Sequence, residues 1–338
     1  MVFVTGATGL LGSHLLYFLC KNGYEVCALR RAGSDINEVK SVFEHYPSGL
    51  NLWTSICWVE GDVLDIVTLE EKVASAQSVY HCAAMVSFSG GDKSNLLNTN
   101  LRGTENITSL CLKYGVRLGY VSSIGALGDA RHEKEFIDEE TPVIAGSEHS
   151  VYSQSKLDSE NIVWNAIAKG LNAVIVNPAI ILGSGHWHRS SSQLYTTAAK
   201  GMPFYTQGIV GYVDVRDVCM LLIRLVNDAA VSGERYILNG GNHSYKELFT
   251  QIAQATGKRL PWLSMKPWMT EFAWRLLALI GKMTGKQPAF TKETARSSQH
   301  KSYYSTAKIA ALYPDYSFFT LAETIHWITM NSQGENEN

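Results

Sequence analysis

The segment Thr5-Gly6-Ala7-Thr8-Gly9-Leu10-Leu11-Gly12 constrains the fold of this chain more than any other. It follows the short apolar run Val2–Thr5 and opens an amphipathic stretch, Leu10–Asn22, that stops at Gly23. A strand, a loop of small residues and a helix in that order predict the first unit of a parallel sheet. The alternation continues, with strands expected at Glu25–Leu29, Ile56–Glu60, Ser78–Cys82, Leu118–Ser122 and Ala173–Asn177. Helices are expected at Leu96–Tyr114 and Val151–Lys169. Right-handed crossovers then cover both sheet faces, which gives an α/β, doubly wound parallel fold.

The glycines have separate tasks. One makes a tight turn, one lets the backbone approach a pyrophosphate, and one lets helix pack on strand. The helix N-terminus supplies unsatisfied N–H groups and a positive dipole end for the phosphates. Gly6, Thr8, Gly9, Leu10, Leu11 and Gly12 are therefore candidate dinucleotide-binding residues, and the sheet is expected to be Rossmann-type. The second strand ends Leu29-Arg30-Arg31, where an acidic residue would select NAD by its ribose hydroxyl. Two guanidiniums suit a 2′-phosphate instead, so Arg30 and Arg31 favour NADP, with NAD the alternative. Both arginines as solvated surface charges is the competing reading. Asp62 and Val63 follow the third strand, where the adenine would lie, and Ala83 and Ala84 follow the fourth, where small residues admit the cofactor.

With 338 residues the chain suits one large α/β unit and a smaller lobe. After Pro178 the pattern loosens, then returns as a strand at Val213–Val215, a helix at Asp217–Asn227 and a strand at Arg235–Leu238. The expected division is 1–178 with 211–240 as the nucleotide-binding unit, and 179–210 with 241–330 as a mostly helical substrate lobe. Residues 331–338 read as a polar, frayed tail. The helix expected at Pro267–Gly285 is apolar on most sides, so it reads as lobe core or pocket lining, with a membrane-surface or partner contact as the alternative. A net charge of −2 implies no basic surface for nucleic acid. No stretch is long and apolar enough for a membrane span, and no basic, apolar leader opens the chain, so a cytoplasmic location is expected. The six cysteines are scattered without a Cys-x-x-Cys pair, as free thiols in a reducing compartment would be, and no metal site is expected.

Tyr-x-x-x-Lys places a phenol and an ammonium on one helix face, where the lysine is expected to lower the tyrosine pKa. Such a tyrosine can exchange a proton with a carbonyl or alcohol oxygen. The pattern occurs three times, at Tyr17/Lys21, Tyr152/Lys156 and Tyr304/Lys308. Position selects among them. Tyr17 lies on the first crossover helix, and Tyr304 lies outside the sheet half. Tyr152 opens a helix soon after the strand ending Val121-Ser122-Ser123, whose carboxyl end can present a hydroxyl to the cofactor crevice.

Together these segments resemble the extended short-chain dehydrogenase/reductases of the NAD-dependent epimerase/dehydratase family. The resemblance spans nearly the whole chain and includes Gly61-Asp62-Val63, His81-Cys82-Ala83-Ala84, Asn100-Leu101-Arg102-Gly103-Thr104 and Asn177-Pro178. It implies that Ser123 holds the substrate oxygen, with Ser122 the near alternative, and that Ser122 lines the cofactor. It further implies Tyr152 as general acid/base, Lys156 on the nicotinamide ribose, Asn100 in support of the lysine, and Pro178 beside the nicotinamide. Within the family the chain is most similar to dihydroflavonol 4-reductase-like proteins and relatives of 3β-hydroxysteroid dehydrogenases. The arginines after the second strand and the segment Met85-Val86-Ser87-Phe88 carry that likeness, and Val86, Ser87 and Phe88 are candidate substrate contacts. Sugar-nucleotide enzymes of the family carry an arginine for the diphosphate where this chain has Val210-Gly211.

Three functions follow as expectations. The first is NADP-dependent reduction of a ketone, or oxidation of the alcohol, on a ring-containing, largely apolar small molecule. The second is an NAD-dependent sugar-nucleotide epimerase or dehydratase. The third is a non-catalytic nucleotide sensor, against which the intact Ser123, Tyr152 and Lys156 set speaks. A homodimer through the tyrosine helix is a family-level expectation. The loop His186-Trp187-His188-Arg189 reads as a substrate loop or plain surface, since no companion carboxylate or cysteine completes a metal site.

Overall fold

A run such as Val2–Thr5, apolar without alternation, needs cover on both faces, as an inner parallel strand has. All four of its residues are buried. The computed structural model describes residues 1–86, 93–130, 132, 135–144, 150–187, 191–284 and 290–333. Its strands are β1 (Val2–Thr5), β2 (Val26–Arg30), β3 (Cys57–Glu60), β4 (Ser78–His81), β5 (Arg117–Val121), β6 (Phe136–Ile137), β7 (Ala173–Pro178), β8 (Ile180–Leu182), β9 (Phe204–Tyr205), β10 (Ile209–Asp214), β11 (Glu234–Leu238), β12 (Gly241–Ser244), β13 (Leu263–Ser264) and β14 (Tyr303–Tyr304). The helices are α1 (Leu10–Lys21), α2 (Asn37–Glu44), α3 (Gly49–Trp53), α4 (Ile66–Ala74), α5 (Lys93–Leu97), α6 (Gly103–Tyr114), α7 (Val151–Ala168), α8 (Ser192–Ala199), α9 (Val215–Asn227), α10 (Tyr245–Ala255), α11 (Pro267–Thr284), α12 (Lys292–Ser297), α13 (Ala307–Leu312) and α14 (Leu321–Gln333).

The central sheet has seven parallel strands in the order β11-β7-β5-β4-β1-β2-β3. The chain winds outward one way through β2 and β3 and the other way from β4, so the order reverses between β1 and β4. A crevice opens at the carboxyl ends of the strands at such a reversal. Successive residues of β1 serve opposite faces. Val2 and Val4 join a core with Leu15 and Leu19 of α1 and Leu222 of α9, whereas Phe3 joins Ile107 of α6 and Val163 of α7. Truncating a fully buried leucine such as Leu222 to alanine is worth about 2–5 kcal/mol.

A third core, with Leu182, Tyr212, Leu248, Ile252, Ile325 and Ile328, holds the outer elements together. Here the structure departs from the sequence pattern. The strand expected at Val213–Val215 runs from Ile209 to Asp214 and does not enter the large sheet. It lies in a three-stranded sheet between β8 and β12, while β11 alone of that region pairs with β7. Periodicity marks a strand but does not say which edge it will meet.

Three other expectations are corrected. The helix expected over Leu96–Tyr114 is broken into α5, a π-helical turn at Asn98–Arg102, and α6. Asn331 to Gln333, read as a frayed tail, continue α14, and Asn331 Nδ2 donates to the Trp327 carbonyl at 2.9 Å. Helix α11 is not buried on most sides: Trp268, Phe272, Leu279 and Met283 are 68%, 65%, 57% and 80% exposed. Ser87, Phe88, His188 and Arg189 lie outside the described residues.

Candidate active site

β1 ends at Thr5 and the chain turns at Gly6, whose φ of +68° lies in the left-handed region open to glycine. A Cβ there would stand 2.5 Å from the Ala83 nitrogen, so the loop packs directly on the chain leaving β4. At Gly12 a Cβ would stand 2.1 Å from the Gly6 carbonyl oxygen, which fixes how closely α1 approaches the loop. Gly9 is the N-cap of α1, exposed and without a side-chain cap. The first N–H groups of a twelve-residue helix thus lack a side-chain cap beside Gly9, which has no Cβ. That arrangement fits a pyrophosphate. Thr8 and Leu10 are half-buried and Leu11 is buried in the same turn.

The other candidate cofactor residues lie at or just beyond the carboxyl ends of β2, β3, β4 and β7. Arg30 is paired with Glu60 across β2 and β3 at 3.1 Å, while Arg31 is exposed. Asp62 Oδ1 accepts the Leu64 N–H at 2.9 Å, and Val63 is buried against Gly103, where a Cβ would meet the valine at 2.8 Å. Between β1 and β4 the Thr5 hydroxyl and His81 Nδ1 are 2.6 Å apart, and His81 Nε2 lies 3.3 Å from the Thr104 hydroxyl. Burial lowers the His81 pKa to about 3, so this buried ring is neutral. Ala83 and Ala84 are half-buried beyond it, and Pro178 is the buried last residue of β7.

Tyr152, Lys156, Glu160 and Trp164 stand at intervals of four along α7 and so share one face. Ser150 caps the helix through the Ser153 N–H at 3.0 Å. Tyr152 is hydrogen-bonded to Ser123, which follows β5 and whose hydroxyl oxygen accepts the Gly125 N–H at 3.1 Å. Lys156 is 4% exposed and donates to the Val121 carbonyl at 2.9 Å, at the end of β5. Its ammonium also stands 5.6 Å from the centre of the Tyr120 ring. Burial lowers the Lys156 pKa to about 8, against the opposing pull of Cys82 and Glu160.

The expected effect of Lys156 on Tyr152 does not dominate in the free protein. Burial raises the Tyr152 pKa, and the hydrogen bond to Ser123 pulls it the other way. The lysine spends its charge on the Val121 carbonyl instead. The phenol is therefore a proton donor near neutral pH.

Ser122 and Ser123 are adjacent yet separately engaged. Ser122 donates to Glu160 Oε2 at 2.5 Å and is buried, so its hydroxyl is taken by α7. Sequence reasoning missed Glu160, although its place one turn beyond Lys156 was the available signal. The same carboxylate accepts Asn177 Nδ2 at 2.8 Å, Trp164 Nε1 at 3.2 Å and Arg235 at 3.0 Å. Asn177 Nδ2 also donates to the Ser123 carbonyl at 3.0 Å, so this buried cluster holds the backbone that presents Ser123. Asn100 is tied elsewhere than the lysine. Its side chain exchanges hydrogen bonds with the backbone of Met85 at 2.7 and 3.1 Å and donates to Ser155 at 3.0 Å. Its carbonyl, in the π-helical turn, also accepts the Ser159 hydroxyl at 3.0 Å and the Thr104 hydroxyl at 2.7 Å. Asn100 thus joins α7 to the strand end at Met85. Val86 beyond it is 43% exposed.

The decoy pairs have structural partners. Tyr17 is buried and stacks on Tyr46 at 4.0 Å, and Lys308 is paired with Glu234 at 2.6 Å. His186 is also structural: it is buried, with Nε2 3.2 Å from the Ser13 hydroxyl on α1 and Nδ1 3.3 Å from Glu38. These contacts tie the start of the loop to α1 and to Glu38. Among the described residues no group of three or more histidine, cysteine or carboxylate side chains could hold a metal ion.

The family model described as the NAD dependent epimerase/dehydratase family matches residues 2–239. The chain belongs to that family. As an epimerase/dehydratase-family protein it is an NAD(P)-dependent oxidoreductase of the extended short-chain dehydrogenase/reductase type. This family member is 28% identical to a provisionally named dihydroflavonol 4-reductase of Synechocystis sp., over 96% of its own length and 93% of the relative's. It is also 28% identical to sterol demethylase protein B of Methylococcus capsulatus, over 78% of its own length and 77% of the relative's. The solved structure of gox2253 superposes with a TM-score of 0.80 at 26% identity, covering 99% of this chain and 98% of that one.

Proposed function

We propose that this chain is an NADP-dependent reductase that converts a ketone of a ring-containing small molecule, dihydroflavonol- or steroid-like, to its alcohol. The observation that carries the reading is the hydrogen-bonded Ser123–Tyr152 pair beside the buried Lys156 ammonium, at the strand ends next to the glycine loop. Gly6, Thr8, Gly9, Leu10, Leu11 and Gly12 would hold the pyrophosphate, Arg31 with Arg30 the 2′-phosphate, and Asp62 and Val63 the adenine side. Ala83, Ala84, Ser122 and Pro178 would line the path to the nicotinamide, and Lys156 would hold its ribose. When bound, NADPH supplies the hydride that reduces the carbonyl carbon. Tyr152 gives its proton to the carbonyl oxygen, and the Ser123 hydroxyl holds that oxygen in place. Asn100 is a positioning residue that fixes α7. Val86, Ser87, Phe88 and Ser123 would face the substrate.

Burial keeps the Tyr152 phenol protonated, which suits carbonyl reduction. A substrate without a diphosphate is supported at β10. Val210 and Gly211 offer no cation, and Arg216 is bound to Asp214 by two hydrogen bonds, at 2.6 and 2.9 Å. Its guanidinium also lies 3.9 Å from the Phe319 ring centre and 4.3 Å from that of Trp327. The names of the two relatives, a dihydroflavonol reductase and a sterol demethylase protein, agree with a fused-ring substrate.

The test is a thermal-shift comparison of NADPH with NADH, followed by NADPH consumption on cyclic ketones and on uridine diphosphate sugars. The reading requires a larger shift with NADPH and consumption on a cyclic ketone. Tightly retained NAD with binding of a uridine diphosphate sugar would replace it with the epimerase reading.

A further inference from the structure

Helix α11 turns its most apolar side outward. At about 100° per residue, Trp268, Leu279, Phe272, Met283, Leu276 and Ile280 fill an arc of about 120°, and all six are exposed. Thr270, on the opposite side, is buried. Gln299, beyond α12, donates to the Met265 carbonyl at 2.9 Å just before α11, which ties the inner side down. Arg275 and Glu271 border the apolar arc and pair with each other at 2.8 Å. The arc is about 23 Å long, and Trp262, 74% exposed, lies just before its N-terminal end.

Charge says what would cover it. From Lys258 to Lys301 the sequence holds nine lysines and arginines against two glutamates, in a chain whose overall balance is −2. Lys258, Arg259, Lys266, Arg275, Lys292, Arg296 and Lys301 are exposed. A second copy on a two-fold axis would set this positive region against itself, which is costly. An anionic surface with an apolar interior satisfies both features. An outward apolar arc with basic flanks and tryptophans at one end is how a helix lies in a bilayer interface. No helix among the described residues is long and apolar enough to cross a membrane, so the contact is one of lying on the surface.

We infer that α11 with its basic flanks docks this protein on anionic lipid bilayers, its axis in the membrane plane. The test is flotation of the full chain with phosphatidylcholine vesicles, with and without phosphatidylglycerol. Binding should be at least about tenfold stronger on the anionic vesicles and should weaken with salt. Phe272→Glu with Leu279→Glu should abolish it while leaving the unfolding midpoint and the NADPH shift unchanged. Lys258→Glu with Lys266→Glu, both on exposed side chains, should remove the preference for anionic lipid without touching the helix. The inference fails if wild-type protein floats with neither vesicle, or if the Phe272/Leu279 variant floats as well as wild type. It also fails if sedimentation shows a dimer that this variant splits while no lipid is bound. None of these outcomes depends on the ketone being the substrate.

Discussion

Ser122 donates a 2.5 Å hydrogen bond to Glu160, and this bond gives two adjacent serines different work. Ser122 is held in the protein interior, while Ser123 is left to Tyr152. Ser122→Ala should therefore cost about 1–3 kcal/mol in urea unfolding, since it removes a buried donor to a carboxylate. Ser123→Ala removes the cap on the Gly125 N–H, so it should cost about 0.5–2 kcal/mol, and it should lower kcat about 10²–10³-fold. Reversed phenotypes would assign the substrate hydroxyl to Ser122.

Glu160 gathers Ser122, Asn177, Trp164 and Arg235 in one buried cluster. Glu160→Ala leaves the Arg235 guanidinium without its carboxylate partner and should cost about 3–5 kcal/mol, read by chemical denaturation. A cost below about 1 kcal/mol would mean that the cluster does not hold the site.

The glycine loop, the alternation of strands and helices up to β7 and the Tyr152 helix were legible because each rests on local chemistry: turn, period and i,i+4 spacing. The outward face of α11 was not. A helix apolar on most sides reads as core, and only the packing of the inner face against neighbouring elements shows which side was left over. The partners of Asn100 were hidden for a similar reason, since Met85 and Ser155 reach it from distant parts of the chain. Glu160 was one turn beyond a lysine already singled out. What the sequence pattern lacked was Asn177 and Arg235, which close around it from β7 and β11.

Gly12→Ala should remove cofactor binding. Its methyl would stand 2.1 Å from the Gly6 carbonyl oxygen, a backbone atom that cannot swing aside. The variant should lose about 1–3 kcal/mol of stability and show no thermal shift with NADPH. A normal shift would mean that the loop is not the pyrophosphate site.

The pH dependence follows from Lys156, whose pKa burial lowers to about 8. Its charge is present below that value and lost above it, so kcat/KM for reduction should fall as pH rises through about 8. The stability effect has the opposite sign. The folded state releases this proton more readily than the unfolded chain does, so burying the charge costs stability below pH 8. Between about 8 and the ordinary lysine value of 10.5 that cost disappears. Wild-type stability relative to Lys156→Met should therefore rise across this window in pH-resolved denaturation. A flat difference would place the ammonium in a watery setting.

The central claim is that Tyr152 transfers the proton in an NADPH-dependent carbonyl reduction. The most direct measurement is stopped-flow NADPH oxidation by wild-type and Tyr152→Phe proteins on a cyclic ketone that the wild type reduces. Phenylalanine keeps the ring and loses only the hydroxyl. The account predicts an unchanged NADPH shift and a loss in kcat of about 10²–10⁴-fold. Full turnover by Tyr152→Phe would contradict it.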